Sequence, residues 1–284
     1  MLIFENKQLL IAQLKSFSSQ DTTIGFVPTM GALHNGHLSL MQQSLINNDV
    51  TVVSIFVNPT QFNNPDDLLK YPRTLETDIE KIKTISDKII VYTPTAHDVY
   101  DGQINSEHFD FDGLEYQMEG QFRPGHFDGV GTVVKLLFEI VKPTNAYFGE
   151  KDFQQLQIIK KMVEKCNLKV NVVGCPIYRE KNGLAMSSRN ERLSANEKIE
   201  AAFIYQTLLA VNEMFLDNTI TIAKIKDWVV RIFKKNNTFR LEYFEIADES
   251  TLTKCSRKSK TRNFRAFIAV YINNIRLIDT ISLK

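Results

Sequence analysis

Two histidines three residues apart, His34 and His37, stand in the stretch VPTMGALHNGHLSL at residues 27 to 40. A short apolar run precedes them and a helical pattern follows. The N-terminus of a helix presents free N–H groups and the positive end of its dipole, and so attracts phosphate. Imidazoles at the same point add charge-assisted hydrogen bonds, which can stabilise a phosphorus centre as negative charge builds. Gly36, between the histidines, would let a nucleotide base approach the backbone without meeting a Cβ. The competing reading is a pair of surface or capping histidines. Zinc is a third, since imidazole is a common ligand. No third His or Cys lies at a suggestive spacing, so no metal site is assigned here.

Other stretches carry compatible chemistry. In FGEKD (148 to 152), Lys151 suits triphosphate charge, and Asp152 suits either a hydrated Mg²⁺ or the cap of the next helix. GLAMSSRN (183 to 190) sets the hydroxyls of Ser187 and Ser188 beside Arg189, whose guanidinium fork matches phosphate oxygens. A solvated linker would explain it too. Gln61 in VNPTQF and Gln155 in KDFQQLQ each donate and accept, which fits a small ligand bearing hydroxyl and carboxylate groups. GQFRPGHFDGV (120 to 130) reads as a loop over a site or as a structural turn, with Arg123 available to an anion. KCSRKSKTRNFR (254 to 265) holds six basic residues and no acid. It lacks an aromatic platform before Phe264, so a solvated surface loop is expected in preference to a nucleic-acid site.

The elements that must position these residues alternate along the first two-thirds of the chain. Helical spacing marks Asn6 to Phe17, Leu38 to Ile46, Ile79 to Ile85, Val130 to Val141 and Phe153 to Cys166. Between them lie strand-like runs: TIGFV (23 to 27, ended by Pro28), VTVVSIFV (50 to 57), KIIVY (88 to 92), NAYF (145 to 148) and KVNVV (169 to 173). This predicts a Rossmann-like α/β domain, a parallel sheet with helices on both faces. Its strand-to-helix loops, 28 to 37, 58 to 63, 149 to 152 and 178 to 189, fall along one edge, where such sheets bind ligands. After about residue 185 the pattern becomes that of a smaller α+β domain. Ser194 and Glu197 form a capping box for a helix through Phe215, and Thr221 caps a second helix to Lys234. Strands follow at 240 to 247, 264 to 272 and 275 to 280, the last two joined by a turn at Asn273 and Asn274. The expected domains are residues 1–184 and 185–284.

Composition bounds the rest. The 284 residues are 43% hydrophobic and 24% charged, with a net charge of +1, so no broad electrostatic pull toward nucleic acid or a membrane surface arises. The three cysteines are scattered, and the N-terminus lacks a basic start followed by a long apolar core. A cytoplasmic protein with no membrane span is the expectation.

Taken in order, PTMGALHNGHL, SIFVNPTQF, YPRTLETD, RPGHFDGV, FGEKDFQQL and GLAMSSRN closely resemble the pantothenate synthetase (pantoate–β-alanine ligase) family over about residues 1 to 193. The match continues more loosely to RLID at 276 to 279. HNGH resembles the signature of the wider nucleotidyltransferase superfamily. The resemblance implies that ATP and (R)-pantoate form pantoyl adenylate and pyrophosphate, after which β-alanine attacks to give pantothenate and AMP. It also implies Mg²⁺, a homodimer and a mobile C-terminal domain that closes over the site. Position by position, it implies that Met30, Gly31, Ala32, Leu33, His34, Asn35, Gly36 and His37 bind ATP, with His37 and His34 catalytic. Gly149, Glu150, Lys151 and Asp152 would hold ribose and phosphates, Lys151 acting on the transferring charge. Met186, Ser187, Ser188 and Arg189 would close over the triphosphate, Arg189 being catalytic, and Tyr178 would contact adenine through its main chain. Gln61 and Gln155 would bind pantoate, with Tyr71, Asp78 and Arg123 as further candidates. The other readings are an adenylyltransferase for a phosphorylated acceptor, which would call for more basic residues, and a non-catalytic nucleotide-binding module.

Overall fold

A computed structural model of the chain describes residues 1–17, 22–62 and 65–284, without the side chains of Pro65 and Asp67. The final residue of the expected 58 to 63 loop lies outside the described residues. Two compact units emerge. One comprises residues 1–115, 119–149 and 155–176, and the other 116–118, 150–154 and 177–284. Residues 177–184, which the sequence pattern places with the first domain, cluster with the second unit.

The chain runs β1 (Leu2–Phe4), α1 (Lys7–Ser16), β2 (Ile24–Thr29), α2 (Asn35–Asn47), β3 (Val50–Ile55), α3 (Pro65–Leu69), α4 (Leu75–Lys83), β4 (Ile90–Tyr92), α5 (Ala96–Tyr100), α6 (Met118–Phe122), α7 (His126–Val141), β5 (Asn145–Gly149), α8 (Phe153–Lys165) and β6 (Asn171–Cys175). The six strands form a parallel sheet in the order β1-β4-β3-β2-β5-β6. Val52 and Val53 of β3 and Phe26 and Val27 of β2 are fully buried, which explains their near-continuous apolar character. The strand order reverses beside β2, with β3 and β4 on one side and β5 and β6 on the other. Ligands of such sheets bind beyond the carboxyl ends of the strands at this reversal. The loops after β2 and β3 both leave from that edge.

Several boundaries differ from the sequence reading. β2 continues through Pro28 to Thr29 instead of ending at the proline. Its pairing with β5 covers only Gly25 and Phe26, so Pro28 stands past the end of that ladder, where its missing N–H removes no bond. α2 begins at Asn35, two residues before His37. α7 opens at His126, and β6 lies two residues later than expected. The edge strand β1 is too short for any periodicity to announce it.

The second unit contains α9 (Ala195–Glu200), α10 (Ala202–Leu216) and α11 (Ile222–Lys235), then β7 (Phe239–Asp248), β8 (Phe264–Ile272) and β9 (Ile275–Leu283). The single helix expected to start at Ser194 is broken at Ala201. The three strands form an antiparallel sheet in the order β7-β8-β9, and Asn273 takes the left-handed conformation in the two-residue turn between β8 and β9. Ile222, Ile225, Val229 and Phe233, one face of α11, join Leu208 and Val211 of α10 and Ile246, Ile268 and Val270 of the sheet in one core. Each such side chain contributes about 2 kcal/mol by leaving water. No helix among the described residues is long and apolar enough to cross a membrane.

Candidate active site

In the first unit the histidine loop is fixed by a buried acid. Thr29, the last residue of β2, donates its hydroxyl to the Ser54 carbonyl at 2.8 Å and accepts the Gly31 N–H at 3.3 Å. Gly31 then turns at φ +82 and Ala32 at φ +49. Asp78, fully buried on α4, accepts the N–H groups of Ala32 at 2.9 Å and Leu33 at 2.7 Å. The Thr74 hydroxyl donates to the same carboxylate at 3.2 Å, and the Lys81 ammonium donates to the Leu33 carbonyl at 2.6 Å. Asp78, expected near substrate, therefore acts beneath the loop and holds its shape.

The clamped loop delivers His34 to the N-cap of α2 and His37 to its third position. The two rings stack with centroids 4.0 Å apart. The His34 backbone N–H donates to Nδ1 of His37 at 3.3 Å. A ring nitrogen that accepts carries no proton, so the neutral His37 ring bears its hydrogen on Nε2. That leaves Nε2–H as a donor at the helix N-terminus, where the dipole also favours an anion. Asn35 is exposed and Gly36 half-buried in the same first turn.

The loop after β3 brings a second group to the same edge. Gln61 lies in a 3-10 turn (Pro59–Gln61), and its Nε2 meets the Met30 sulfur at 2.6 Å. The organiser is Asn58, which the sequence reading passed over. It is buried, and its amide donates to Thr60 Oγ1, Gln61 Oε1 and the Gly129 carbonyl. Its oxygen accepts the Tyr100 hydroxyl at 2.7 Å. Burial pushes the Tyr100 phenol above its ordinary value, opposing loss of that proton. Its only sequence signal was an asparagine preceding a proline, which commonly starts a turn. The Gln61 carbonyl meets His126 Nδ1 at 2.8 Å and accepts from Arg123 at 3.4 Å, so both residues support the turn. Tyr71 packs edge-on against Phe62 with centroids 5.7 Å apart. Gln155, half-buried in the first turn of α8, has no side-chain hydrogen bond among the described residues. The structure does not bond it to Gln61.

Gly129 of α7 permits this arrangement by close approach. A Cβ there would stand 2.5 Å from the Thr60 carbonyl oxygen and 2.9 Å from the Gln61 Cα. Both obstacles are backbone and cannot swing aside. Gly129→Ala is expected to cost about 1–3 kcal/mol through overpacking and to raise the KM for any substrate that Gln61 would bind. Thermal denaturation and steady-state kinetics check both.

In the second unit Lys151, Ser187 and Arg189 line one pocket together with Asp279 of β9. Lys151 sits in a 3-10 turn (Glu150–Asp152) that runs directly into α8, so Asp152 precedes no separate cap. The Lys151 ammonium is mostly buried, and its nearest carboxylate oxygen is on Asp152 at 4.0 Å. Arg189 is exposed, and no residue among those described pairs with its guanidinium. Ser187 caps the following turn by accepting the Arg189 N–H at 3.3 Å. Tyr178 is exposed, and its carbonyl accepts the Met186 N–H at 2.9 Å, closing a small hairpin. Met186 and Ser188 are half-buried beside the lining residues. The Glu150 carboxylate turns away to Arg265.

The hairpin is welded to β9. Arg179 grips Asp279 with two hydrogen bonds, at 2.7 and 2.9 Å, donates to the Gly183 carbonyl, and lies 3.7 Å over the Tyr205 ring. Burial pushes the Asp279 carboxyl up while the Arg179 fork pulls it back. The sequence offered the RLID stretch as familiar but gave no partner for its acid.

Residues 256 to 263 are exposed apart from half-buried Lys258, as expected of a solvated surface loop, while four of the six basic residues in 254 to 265 also find partners within this unit. Lys254 pairs with Glu245, and Arg262 with Asp248. Lys258 donates to the Met214 and Asp217 carbonyls at the end of α10. Arg265 is 5% exposed.

Comparison with known proteins follows the same lines. The family model described as Pantoate-beta-alanine ligase matches residues 2–282. A pantothenate synthetase of Flavobacterium psychrophilum is 61% identical, and one of Christiangramia forsetii is 56% identical, each over the whole of both chains. The crystal structure of pantothenate synthetase from Thermus thermophilus superposes with a TM-score of 0.89 at 35% identity, covering 100% of this chain and 99% of that one. A pantoate-beta-alanine ligase structure from Francisella tularensis, described as complexed with beta-gamma ATP and beta-alanine, gives 0.79 at 35% identity over 99% and 97% of the two chains.

Proposed function

The chain belongs to the pantoate–β-alanine ligase family, and from that premise we propose how its own residues divide an ATP-driven amide synthesis. A free carboxylate is a poor acyl donor because its oxygen is a bad leaving group. Transfer of AMP to pantoate supplies a good one. The protein's task is to align a pantoate oxygen with the α-phosphorus and to stabilise the charge that builds there.

The observation that carries this reading is the histidine pair at the N-terminus of α2, held by the Asp78 clamp. His37 donates its Nε2–H to the phosphate oxygens and His34 supports it. Loop residues Met30 to Leu33 and first-turn residues Asn35 and Gly36 form the floor for the nucleotide. Lys151 is the second cation for the transferring phosphate, and its scarcity of partners suits an incoming anion. Ser187, Ser188 and Arg189 hold the triphosphate. Gln61, with its side chain oriented by Asn58, and Gln155 take the hydroxyls and carboxylate of pantoate. Mg²⁺, when bound with the triphosphate, would compensate its charge. Such an ion keeps several waters and needs few protein ligands, and the exposed carboxylate of Asp152 beside Lys151 fits that demand. The motif resemblance also supports a cytoplasmic homodimer.

The test is direct. Purified protein given ATP, pantoate, β-alanine and Mg²⁺ should release AMP and pyrophosphate in step with the amide. With β-alanine omitted, labelled pyrophosphate should exchange into ATP in the presence of pantoate. Release of ADP and phosphate instead would place the attack at the γ-phosphorus and sink the adenylate route.

A further inference from the structure

The basic stretch ends at Arg265, and its surroundings give that residue a use in the reaction. Arg265 is the second residue of β8 and is 5% exposed. Its Nε donates to Glu249 at 2.9 Å and its Nη2 to Glu150 at 3.1 Å. Its guanidinium carbon lies 3.9 Å over the Phe153 ring. Phe153 in turn meets Phe267, also of β8, with centroids 6.0 Å apart. Glu150 immediately precedes Lys151, and Phe153 follows it by two. One buried guanidinium thus holds side chains on both sides of the ammonium, while among the described residues the ammonium itself has only a 4.0 Å carboxylate contact.

We infer that Arg265 is a positioning residue for Lys151: it fixes the 150–153 turn so that the ammonium reaches the transferring phosphate. This rests on the role given to Lys151 above. The grip depends on a planar cation that can bond at two edges and stack on its face together. Lysine keeps the charge but cannot make that set of contacts. A displacement near 1 Å in a charge-stabilising group is enough to cost about 100-fold in rate.

The experiment uses the full chain and follows the two half-reactions separately in single turnovers. Arg265→Lys should lower the rate of pantoyl-adenylate formation about 10- to 100-fold. The KM for pantoate and the attack of β-alanine on adenylate supplied ready-made should stay within about twofold of the parent. Lys151→Ala should impair the same step, and adding Arg265→Lys to it should cost about twofold or less, because the supported group is already gone. Glu150→Gln, which keeps the shape at a half-exposed site, should give a smaller loss confined to that step, and it serves where Arg265→Lys fails to fold. Full multiplication of the two losses in the double variant would overturn the inference, as would equal damage to both half-reactions. Normal adenylation by Arg265→Lys beside an impaired Lys151→Ala would overturn it alone. Normal adenylation by Lys151→Ala would remove the role of Lys151 and this inference with it.

Discussion

His37→Ala should fold normally yet form pantoyl adenylate roughly 10³-fold more slowly, the scale seen when one preorganised donor to a developing oxyanion is removed. The geometry behind the expectation is local. Nδ1 of His37 is occupied by the His34 N–H at 3.3 Å, so Nε2 carries the hydrogen and is the ring's donor. Alanine removes that donor and the 4.0 Å stack against His34. It strands the part-buried His34 N–H at the edge of the helix, a loss partly offset because alanine is a better helix former than histidine. The melting temperature should therefore move by no more than about 2 °C, as for ordinary surface substitutions. His37→Asn, which keeps a side-chain donor of shorter reach, should recover part of the loss. Pyrophosphate exchange in the presence of pantoate measures it. A His37→Ala protein exchanging at the parent rate would leave the histidine with a merely local role.

Asp78→Ala should do the opposite and damage stability and activity together. The carboxylate is fully buried and accepts two successive backbone N–H groups and a threonine hydroxyl. Deleting it strands both amides, each at about 1–3 kcal/mol. A loss of about 3–5 kcal/mol in the first unit corresponds to a fall in melting temperature of roughly 10 °C. The left-handed conformation of Ala32 is unfavourable for a residue with a Cβ and persists because the acid enforces it. With the acid gone the loop should relax, and adenylate formation should fall about 100-fold through misplacement of His34 and His37. Asp78→Asn keeps one acceptor oxygen and should fall between. Calorimetry and the exchange assay read the two effects. An Asp78→Ala variant that melts within about 2 °C of the parent would refute the clamp.

How much of this could be read beforehand follows from the range of the interactions concerned. The parallel sheet was legible because strands buried on both faces are largely apolar, as Val50–Ile55 is apart from Thr51 and Ser54. The capping box of Ser194 and Glu197 was legible because its two bonds span three residues. The chemistry of His34, His37, Lys151 and Arg189 could be proposed because imidazole, ammonium and guanidinium groups announce an anion site by type. Their supports could not. Asp78 acts on amides 45 and 46 positions away, and Arg179 meets an acid 100 positions on. Nothing in YPRTLETD distinguishes an acid that touches substrate from one that props a loop. Asn58 lies inside a motif that drew notice for Gln61, yet only the fold shows that the asparagine orients the glutamine. Arg265 was grouped with its charged neighbours because a run of like charges reads as solvated until a strand buries one end of it.

Residues 150–154 are made in the middle of translation but belong to the compact unit completed by the last third of the chain. As the ribosome releases them, β8, which carries Arg265, is still more than a hundred codons away. A nascent protein ending at Pro176 could already pair its six strands, but Glu150 and Phe153 would still await their guanidinium. The turn that carries Lys151 is therefore completed late, by the arrival of the C-terminal strands, and a gene cut between the two sheets would leave Glu150 and Phe153 without that guanidinium.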